Sequence, residues 1–259
     1  MSPILLKIEN NIAFITLNRP EVFNSFNREM ALRLQDTFDA CEINDEVRAI
    51  VLSGNGKAFC AGQDLKEITT PELNPGFKKI LEEHYNPIIS RIRAIEKPII
   101  AAVNGVAAGA GANIALACDV VIADENANFI QAFSKIGLIP DSAGTFFLPR
   151  LIGFQKASAL AMLGDKVGAV EAERLGMIYK YVASDEFQDT IKKIALKMAQ
   201  MPTKALGLIK KTFNQSLVNT LEEQLDLEAK HQIEAAETDD FNEGVTAFIE
   251  KRKANFKGK

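Results

Sequence analysis

Tryptophan is absent from the 259 residues, histidine occurs twice and cysteine three times. The cysteines, Cys41, Cys60 and Cys118, are odd in number and have no C-x-x-C spacing, which argues against a disulfide framework and against a thiolate zinc site. They fit a reducing compartment, and the cytoplasm is the expected location. His84 falls on the apolar face of a predicted helix and His231 on a charged one, and neither has a serine or cysteine partner in a nucleophile motif. Ser142 is not in a G-x-S-x-G elbow, because Pro140 holds the place of the first glycine, so a serine hydrolase is disfavoured. A P-loop, a dinucleotide G-x-G-x-x-G and any cluster of metal ligands are also missing, and no metal is expected. The net charge of −4 comes without a long acidic run, so no nucleic-acid partner is expected. Residues 1–9 lack a basic region followed by a sufficient apolar run, which argues against a signal peptide. Residues 99–123 have the length of a membrane span but contain Asn104, Asn113 and Asp119; a buried strand, helix and strand explain them better, and no membrane association is expected.

What is present suffices for a full core: 47% of residues are hydrophobic and 25% charged, which fits one domain or one domain with a small appendage. Residues 5–9 and 12–17 are β-favouring runs separated by Asn10-Asn11 and predict a hairpin. Asn27 is placed to cap a helix that aligns Met30, Leu34, Phe38 and Cys41 on one face. Residues 48–53 predict a buried strand, residues 69–76 a connection, and residues 77–95 a helix carrying Ile80, His84, Ile88, Ile92 and Ile95. A strand over 99–103, a helix over 109–117 and a strand over 119–123 follow, an alternation that implies parallel pairing with right-handed crossovers. From Gln155 onward the pattern is nearly all helical, with Gly164, Gly176 and Pro202 as breakpoints. The expectation is an α/β core over residues 1–200 and a helical region over 201–259, without an internal repeat. Leu221, Leu225, Leu227, Ile233 and Phe241 give that region more apolar positions than a lone terminal helix needs.

The most informative stretches are Ala58-Phe59-Cys60-Ala61-Gly62-Gln63-Asp64-Leu65 and Asn104-Gly105-Val106-Ala107-Ala108-Gly109-Ala110-Gly111-Ala112, each after a β-branched run. Alanine and glycine leave the main chain unobstructed, so two such loops can aim two backbone N–H groups at one ligand carbonyl, an oxyanion hole; either loop alone reads as well as close packing of a helix on a strand. Asp141, in Pro140-Asp141-Ser142, reads first as turn chemistry or a helix cap. The alternative is a carboxyl beside small and apolar residues, where burial would raise its pKa. Phe133, Leu138, Phe146 and Phe147 read as core or as an acyl pocket.

These loops, with Asn18-Arg19-Pro20, Asn24-Ser25-Phe26-Asn27 and Lys97-Pro98-Ile99-Ile100-Ala101-Ala102-Val103-Asn104-Gly105, resemble the enoyl-CoA hydratase/isomerase (crotonase) superfamily over essentially the whole chain. Within it, Tyr85-Asn86-Pro87, Ala132-Phe133-Ser134-Lys135-Ile136-Gly137-Leu138-Ile139-Pro140-Asp141 and residues 219–228 are most similar to the 1,2-epoxyphenylacetyl-CoA isomerases of aerobic phenylacetate breakdown. The resemblance implies a crotonase-like spiral of ββα units and a homotrimer, or a dimer of trimers, formed by the C-terminal helices. It leaves association with other phenylacetate-pathway enzymes open. It implies an acyl-CoA substrate with no separate cofactor, and it assigns the oxyanion donors to the backbone N–H groups of Gln63 and Ala110, with their side chains incidental. Ala61, Gln63, Asp64 and Leu65 are expected to meet coenzyme A, with Phe248 and Lys251 reaching it from the C-terminus; the basic Lys251-Arg252-Lys253 tail reads otherwise as a solvated helix end.

The family's hydratases use two glutamates, and the matching positions here hold Asn113 and Phe133, neither of which is a general base. That departure argues against a hydratase and makes Asp141 the expected catalytic residue, since one carboxylate suits a proton shuttle. Asn113 and Phe133 are then expected to line the acyl site, with Asn113 orienting Asp141 or being an ordinary helix polar residue. The expected reaction is conversion of 1,2-epoxyphenylacetyl-CoA to the oxepin thioester; the alternative is a Δ3,Δ2-enoyl-CoA isomerase. A 4-chlorobenzoyl-CoA dehalogenase would need an indole partner that this chain lacks. A non-catalytic RNA- or protein-binding homologue has only the basic tail in its favour.

Overall fold

In the computed structural model, which describes residues 2–259, Asn10 and Asn11 turn the chain with φ of 52° and 61°. This is the twist that two-residue hairpins favour, and asparagine tolerates it. Met1, the first residue of the N-terminal stretch considered above, lies outside the described residues. Strands β1 (Ile4–Glu9) and β2 (Ile12–Leu17) pair antiparallel across the turn. Helix α1 (Arg28–Ile43) starts where the Asn27 side chain accepts a 3.0 Å hydrogen bond from the Met30 N–H, and it buries Met30, Leu34, Phe38 and Cys41. Three ββα turns follow. The first comprises β3 (Ala49–Gly54), β4 (Ala58–Cys60) and α2 (Leu65–Thr69), then α3 (Phe77–Lys79), a π-helical stretch Ile80–Tyr85 and α4 (Asn86–Ala94). The second is β5 (Ile99–Val103), β6 (Val106–Ala108) and α5 (Ala110–Leu116). The third is β7 (Val120–Asp124), β8 (Asn128–Ile130), α6 (Gly144–Ile152) and α7 (Phe154–Leu163). The chain ends with β9 (Lys166–Gly168), α8 (Ala169–Arg174), β10 (Lys180–Val182) and the helices α9 (Phe187–Ala199), α10 (Thr203–Ser216), α11 (Leu221–Ala236) and α12 (Asp239–Ile249).

Each turn places its first strand in a sheet ordered β1-β2-β3-β5-β7-β10 and its second in a sheet ordered β4-β6-β8-β9. This is the expected α/β spiral. The larger sheet is parallel from β2 to β10, and both of its faces are covered: Ile50 and Leu52 enter a core with α1, α4 and α5, while Ala49 and Val51 face Phe187, Ile191 and Ala195 of α9. The sequence reading of an almost wholly helical chain beyond Gln155 is corrected by β9 and β10. At three residues each they are too short for a period-2 pattern, and their partners lie far away in sequence. The repeat invisible in the sequence is likewise a repeat of topology.

Asp119 docks the C-terminal helices on this core. Its carboxylate accepts from the Ile99 N–H at 2.8 Å, from Arg93 of α4 at 3.0 Å and from Lys210 of α10 at 2.9 Å. Burial nevertheless pulls the Lys210 ammonium below the ordinary lysine value, with Asp119 opposing that shift. Replacing Asn27 by alanine removes the α1 cap and is expected to lower stability by about 1 kcal/mol in urea titrations, with the m-value unchanged.

Candidate active site

The ends of β4 and β6 deliver the two loops to the same place. A Cβ built on Gly62 would lie 3.5 Å from the Ala110 nitrogen, and one built on Gly111 only 2.4 Å from the Cys60 carbonyl oxygen, so the backbones are in direct contact. The N–H of Gln63 is left free by the local pairing: Phe26 bridges this segment by donating to the Gly62 carbonyl and accepting from the Asp64 N–H. Ala110 is the first residue of α5, where an N–H has no acceptor within the helix. Gly109 before it has φ 53° and ψ −128°, a conformation that only glycine adopts readily. Two backbone donors from adjacent loops are thus unspent.

Asp141 stands beside the first turn of α5. The Asn113 amide donates to the Asp141 main-chain carbonyl at 2.8 Å and accepts from the Gln131 amide at 2.7 Å. Asn113 is three residues after Ala110 on that helix, a rise of about 4.5 Å. A Cβ on Gly144 would come within 2.2 Å of the Asn113 amide nitrogen, so glycine is what lets Asn113 reach the loop. Ser142 and Ala143 follow at φ 49° and 60°, a strained left-handed pair, and the Ser142 hydroxyl donates to the Asp141 carboxylate at 2.8 Å. Burial pushes the Asp141 carboxyl up to about 6, and the Ser142 bond opposes that shift. Buried Gln131 keeps its Oε1 without a partner among the described residues.

The Gln63 side chain, expected to be incidental, is hydrogen-bonded at both ends of its amide. Its Nε2 donates to Glu67 at 2.7 Å, which fixes the amide orientation because a carboxylate only accepts; its Oε1 therefore receives the Tyr85 hydroxyl, at 2.8 Å. Glu67 also accepts from the Arg28 N–H at 2.7 Å. Tyr85 acquires a place at the site through a contact that spans 22 residues, whereas Glu67 meets Gln63 from four residues along the chain and is anchored by Arg28 from 39 residues away.

The other expected residues divide. Phe133 is buried but belongs to neither apolar core; its ring lies 3.7 Å from where a Gly109 Cβ would be, next to the Ala110 donor. Phe147 instead packs beside Arg93, away from these loops, in a cavity of about 770 Å³ bordered by Leu116, Ile194 and Phe213. Ala61 and Leu65 flank Gln63, and Leu65 is exposed. Asp64 spends its carboxylate locally, accepting from Arg19 at 2.8 Å and from the Lys66 N–H at 3.0 Å. Phe248 and Lys251, at the end of α12, are exposed, and no hydrogen bond or ion pair joins them to the Gln63 loop among the described residues. Cys60, fully buried, has its thiol pushed up to about 12 by desolvation, which makes it a poor nucleophile. No group of three or more metal-ligating side chains occurs among the described residues, and no described helix is long and apolar enough to cross a membrane.

The sequence pattern of the enoyl-CoA hydratase/isomerase family matches residues 7–259. The chain is 45% identical to the 1,2-epoxyphenylacetyl-CoA isomerase of Escherichia coli (strain K12), over 100% of both chains. It is also 45% identical to a "Probable enoyl-CoA hydratase" of Rhodobacter capsulatus, over 99% of this chain and 98% of the other. The crystal structure of enoyl-CoA hydratase from Bacillus anthracis superposes with a TM-score of 0.92 at 30% identity, covering 99% of this chain and 100% of that one.

The raised Asp141 pKa has a stability consequence. The folded carboxyl holds its proton more tightly than the unfolded chain does, so its ionisation costs the folded state about 3 kcal/mol above pH 6 and nothing below the ordinary value of 3.8. Asp141→Asn keeps an oxygen to accept from Ser142 and is expected to raise the unfolding free energy at pH 8, with the gain disappearing as the pH falls towards 4. Paired denaturant titrations at the two pH values check this.

Proposed function

Because the chain belongs to the enoyl-CoA hydratase/isomerase family and is thereby an acyl-CoA enzyme, we propose that it is a cytoplasmic isomerase of acyl-CoA thioesters. Its proposed substrate is 1,2-epoxyphenylacetyl-CoA and its proposed product the oxepin thioester. The observation that carries this reading is the half-buried Asp141 carboxyl, raised to about 6 and tethered one helical turn from the free Ala110 N–H. Asn113 and Phe133 stand where a hydratase of this family would need glutamates.

A thioester makes the neighbouring C–H weakly acidic and places the charge of its enolate on oxygen. Asp141 takes that proton, and the C–H electron pair moves into the thioester. The N–H groups of Gln63 and Ala110 hold the oxyanion; one preorganised donor of this kind is worth about 3–4 kcal/mol. The arene oxide opens to its seven-membered oxepin as the bond between the two epoxide carbons breaks. Asp141 then returns the proton to the ring carbon two positions from where it was taken. The net change is a 1,3-proton shift together with expansion of the six-membered ring, with no water consumed and no separate cofactor. A carboxyl titrating near 6 is ionised enough at neutral pH to accept the proton and acidic enough to give it back. Phe133, beside the oxyanion position, supplies an apolar wall for a ring, while Ala61, Asp64 and Leu65 belong to the loop proposed to meet coenzyme A. The same residues would move the double bond of a 3-enoyl thioester to position 2 by the same shift, so relative turnover of the two substrates ranks them.

Assembly into a homotrimer, alone or in pairs, is part of the proposal. It is supported by Phe213, Leu221, Leu225, Ile233 and Phe248 of α10, α11 and α12, all exposed in the single chain. In that assembly Phe248 and Lys251 reach coenzyme A from a neighbouring chain, and light scattering is expected to give the mass of three or six chains.

In deuterated water, freshly generated epoxyphenylacetyl-CoA is expected to yield an isomer whose composition is unchanged apart from deuterium. Asp141→Asn should lower this turnover by about 10²–10⁴-fold. For the wild type, kcat/KM should rise with pH and level off above about 6, since the base must be ionised. Undiminished turnover in a folded Asp141→Asn protein overturns the assignment.

A further inference from the structure

The Gln63 peptide is held from three sides. Its side chain is locked between the Tyr85 hydroxyl at 2.8 Å and Glu67 at 2.7 Å. Its neighbours in the chain are pinned by Phe26, which donates to the Gly62 carbonyl at 2.7 Å and accepts from the Asp64 N–H at 2.8 Å. The Phe26 and Tyr85 rings then meet edge to face, with centroids 5.9 Å apart, so the residue that pins the backbone also packs against the one that locks the side chain. Both aromatic residues are fully buried.

The chain makes a local departure to bring Tyr85 there. Tyr85 ends the π-helical stretch Ile80–Tyr85, the wider turn that interrupts the helix between α3 and α4, and such turns occur often where a side chain must be re-aimed at a site. At the other end, Glu67 is itself buried, and one of its oxygens is anchored by the Arg28 N–H at the start of α1. The Tyr85 hydroxyl donates its single O–H to Gln63 and lies within the field of the Asp141 carboxylate, one of the charges that, after burial, hold the phenol well above its ordinary value. It therefore stays neutral and remains a donor.

We infer that Tyr85 and Glu67 are positioning residues for the oxyanion donor: the Tyr85–Gln63–Glu67 relay fixes the direction of the Gln63 N–H and so sets how strongly the thioester carbonyl is polarised. The inference rests on the proposed role of Gln63. Tyr85 acts through Gln63 and needs no contact with substrate. A misdirected donor weakens transition-state binding more than ground-state binding, so its loss should appear in kcat.

The test is isotope-edited infrared spectroscopy of phenylacetyl-CoA labelled with ¹³C at the thioester carbonyl. This ligand carries the carbonyl but no epoxide to isomerise. On wild-type protein its carbonyl stretch should move to lower frequency than in water. In Tyr85→Phe most of that movement should vanish and kcat should fall roughly 10–100-fold, with KM changing less than about threefold. Glu67→Gln, which loosens the other end of the relay, should act in the same direction and serves if Tyr85→Phe folds poorly. A folded Tyr85→Phe or Glu67→Gln protein that keeps both the wild-type carbonyl frequency and kcat overturns the inference. No frequency shift in the wild type removes the oxyanion reading on which it rests. A lowered melting temperature with frequency and kcat intact would mark the relay as structural only and likewise overturns it.

Discussion

Backbone contact between the end of β4 and the first turn of α5 is the constraint on which the rest of this structure depends. For two main-chain N–H groups to point at one carbonyl, the loops that carry them must approach more closely than side chains allow. The spaces where Gly62 and Gly111 would carry a Cβ are filled by the opposite loop, by the Ala108 carbonyl oxygen at 3.0 Å and the Cys60 carbonyl oxygen at 2.4 Å respectively. The ββα spiral supplies the approach, because successive turns place β4 and β6 side by side in the smaller sheet. The parallel pairing that makes the sheet also aligns the loops that follow its strands.

The proposed acid–base part of the site is built on the same helix. α5 presents Ala110 at its start and Asn113 one turn later, so the donor position and the tether of the Asp141 loop share one rigid element. The loop itself is strained at Ser142 and Ala143 and holds a carboxyl whose charge its surroundings disfavour. Both features oppose folding, and the large core shared by the two sheets and their helices offsets them. Asn113 and Phe133 carry no charge, so Asp141 is not forced to share its proton with a neighbouring carboxylate at those positions.

Much of the scaffold was legible in the chain. Asn10-Asn11 announced the hairpin, Asn27 the start of α1, and the β-branched runs the strands of the larger sheet, because each is decided by neighbours within a few residues. The smaller sheet and the last strand of the larger one were not legible: strands of three residues bear no period, and β9 and β10 are defined by pairing with β8 and β7 rather than by their own pattern. The site was legible in part. The paired alanine- and glycine-rich loops mark the two segments that meet with unspent backbone N–H groups, and Pro140-Asp141-Ser142 marks a turn whose acidic residue tertiary packing then half-buries. Tyr85 read as part of a helix and of a motif shared with the resembling isomerases, but nothing local distinguishes a tyrosine that reaches another loop from one that fills a core.

The sequence by itself determined the residue types available for chemistry: small residues at two loop ends, one carboxylate in a turn, and no cysteine pair, histidine cluster or nucleotide loop. It also determined the local geometry those types permit, since glycine conformations and helix caps depend on adjacent atoms. Only the tertiary structure decided which of these groups meet. It set the burial that raises Asp141, the reach of Tyr85 to Gln63, and the separation of Phe133 from Phe147, because desolvation and hydrogen-bond partnership depend on atoms brought together from distant parts of the chain.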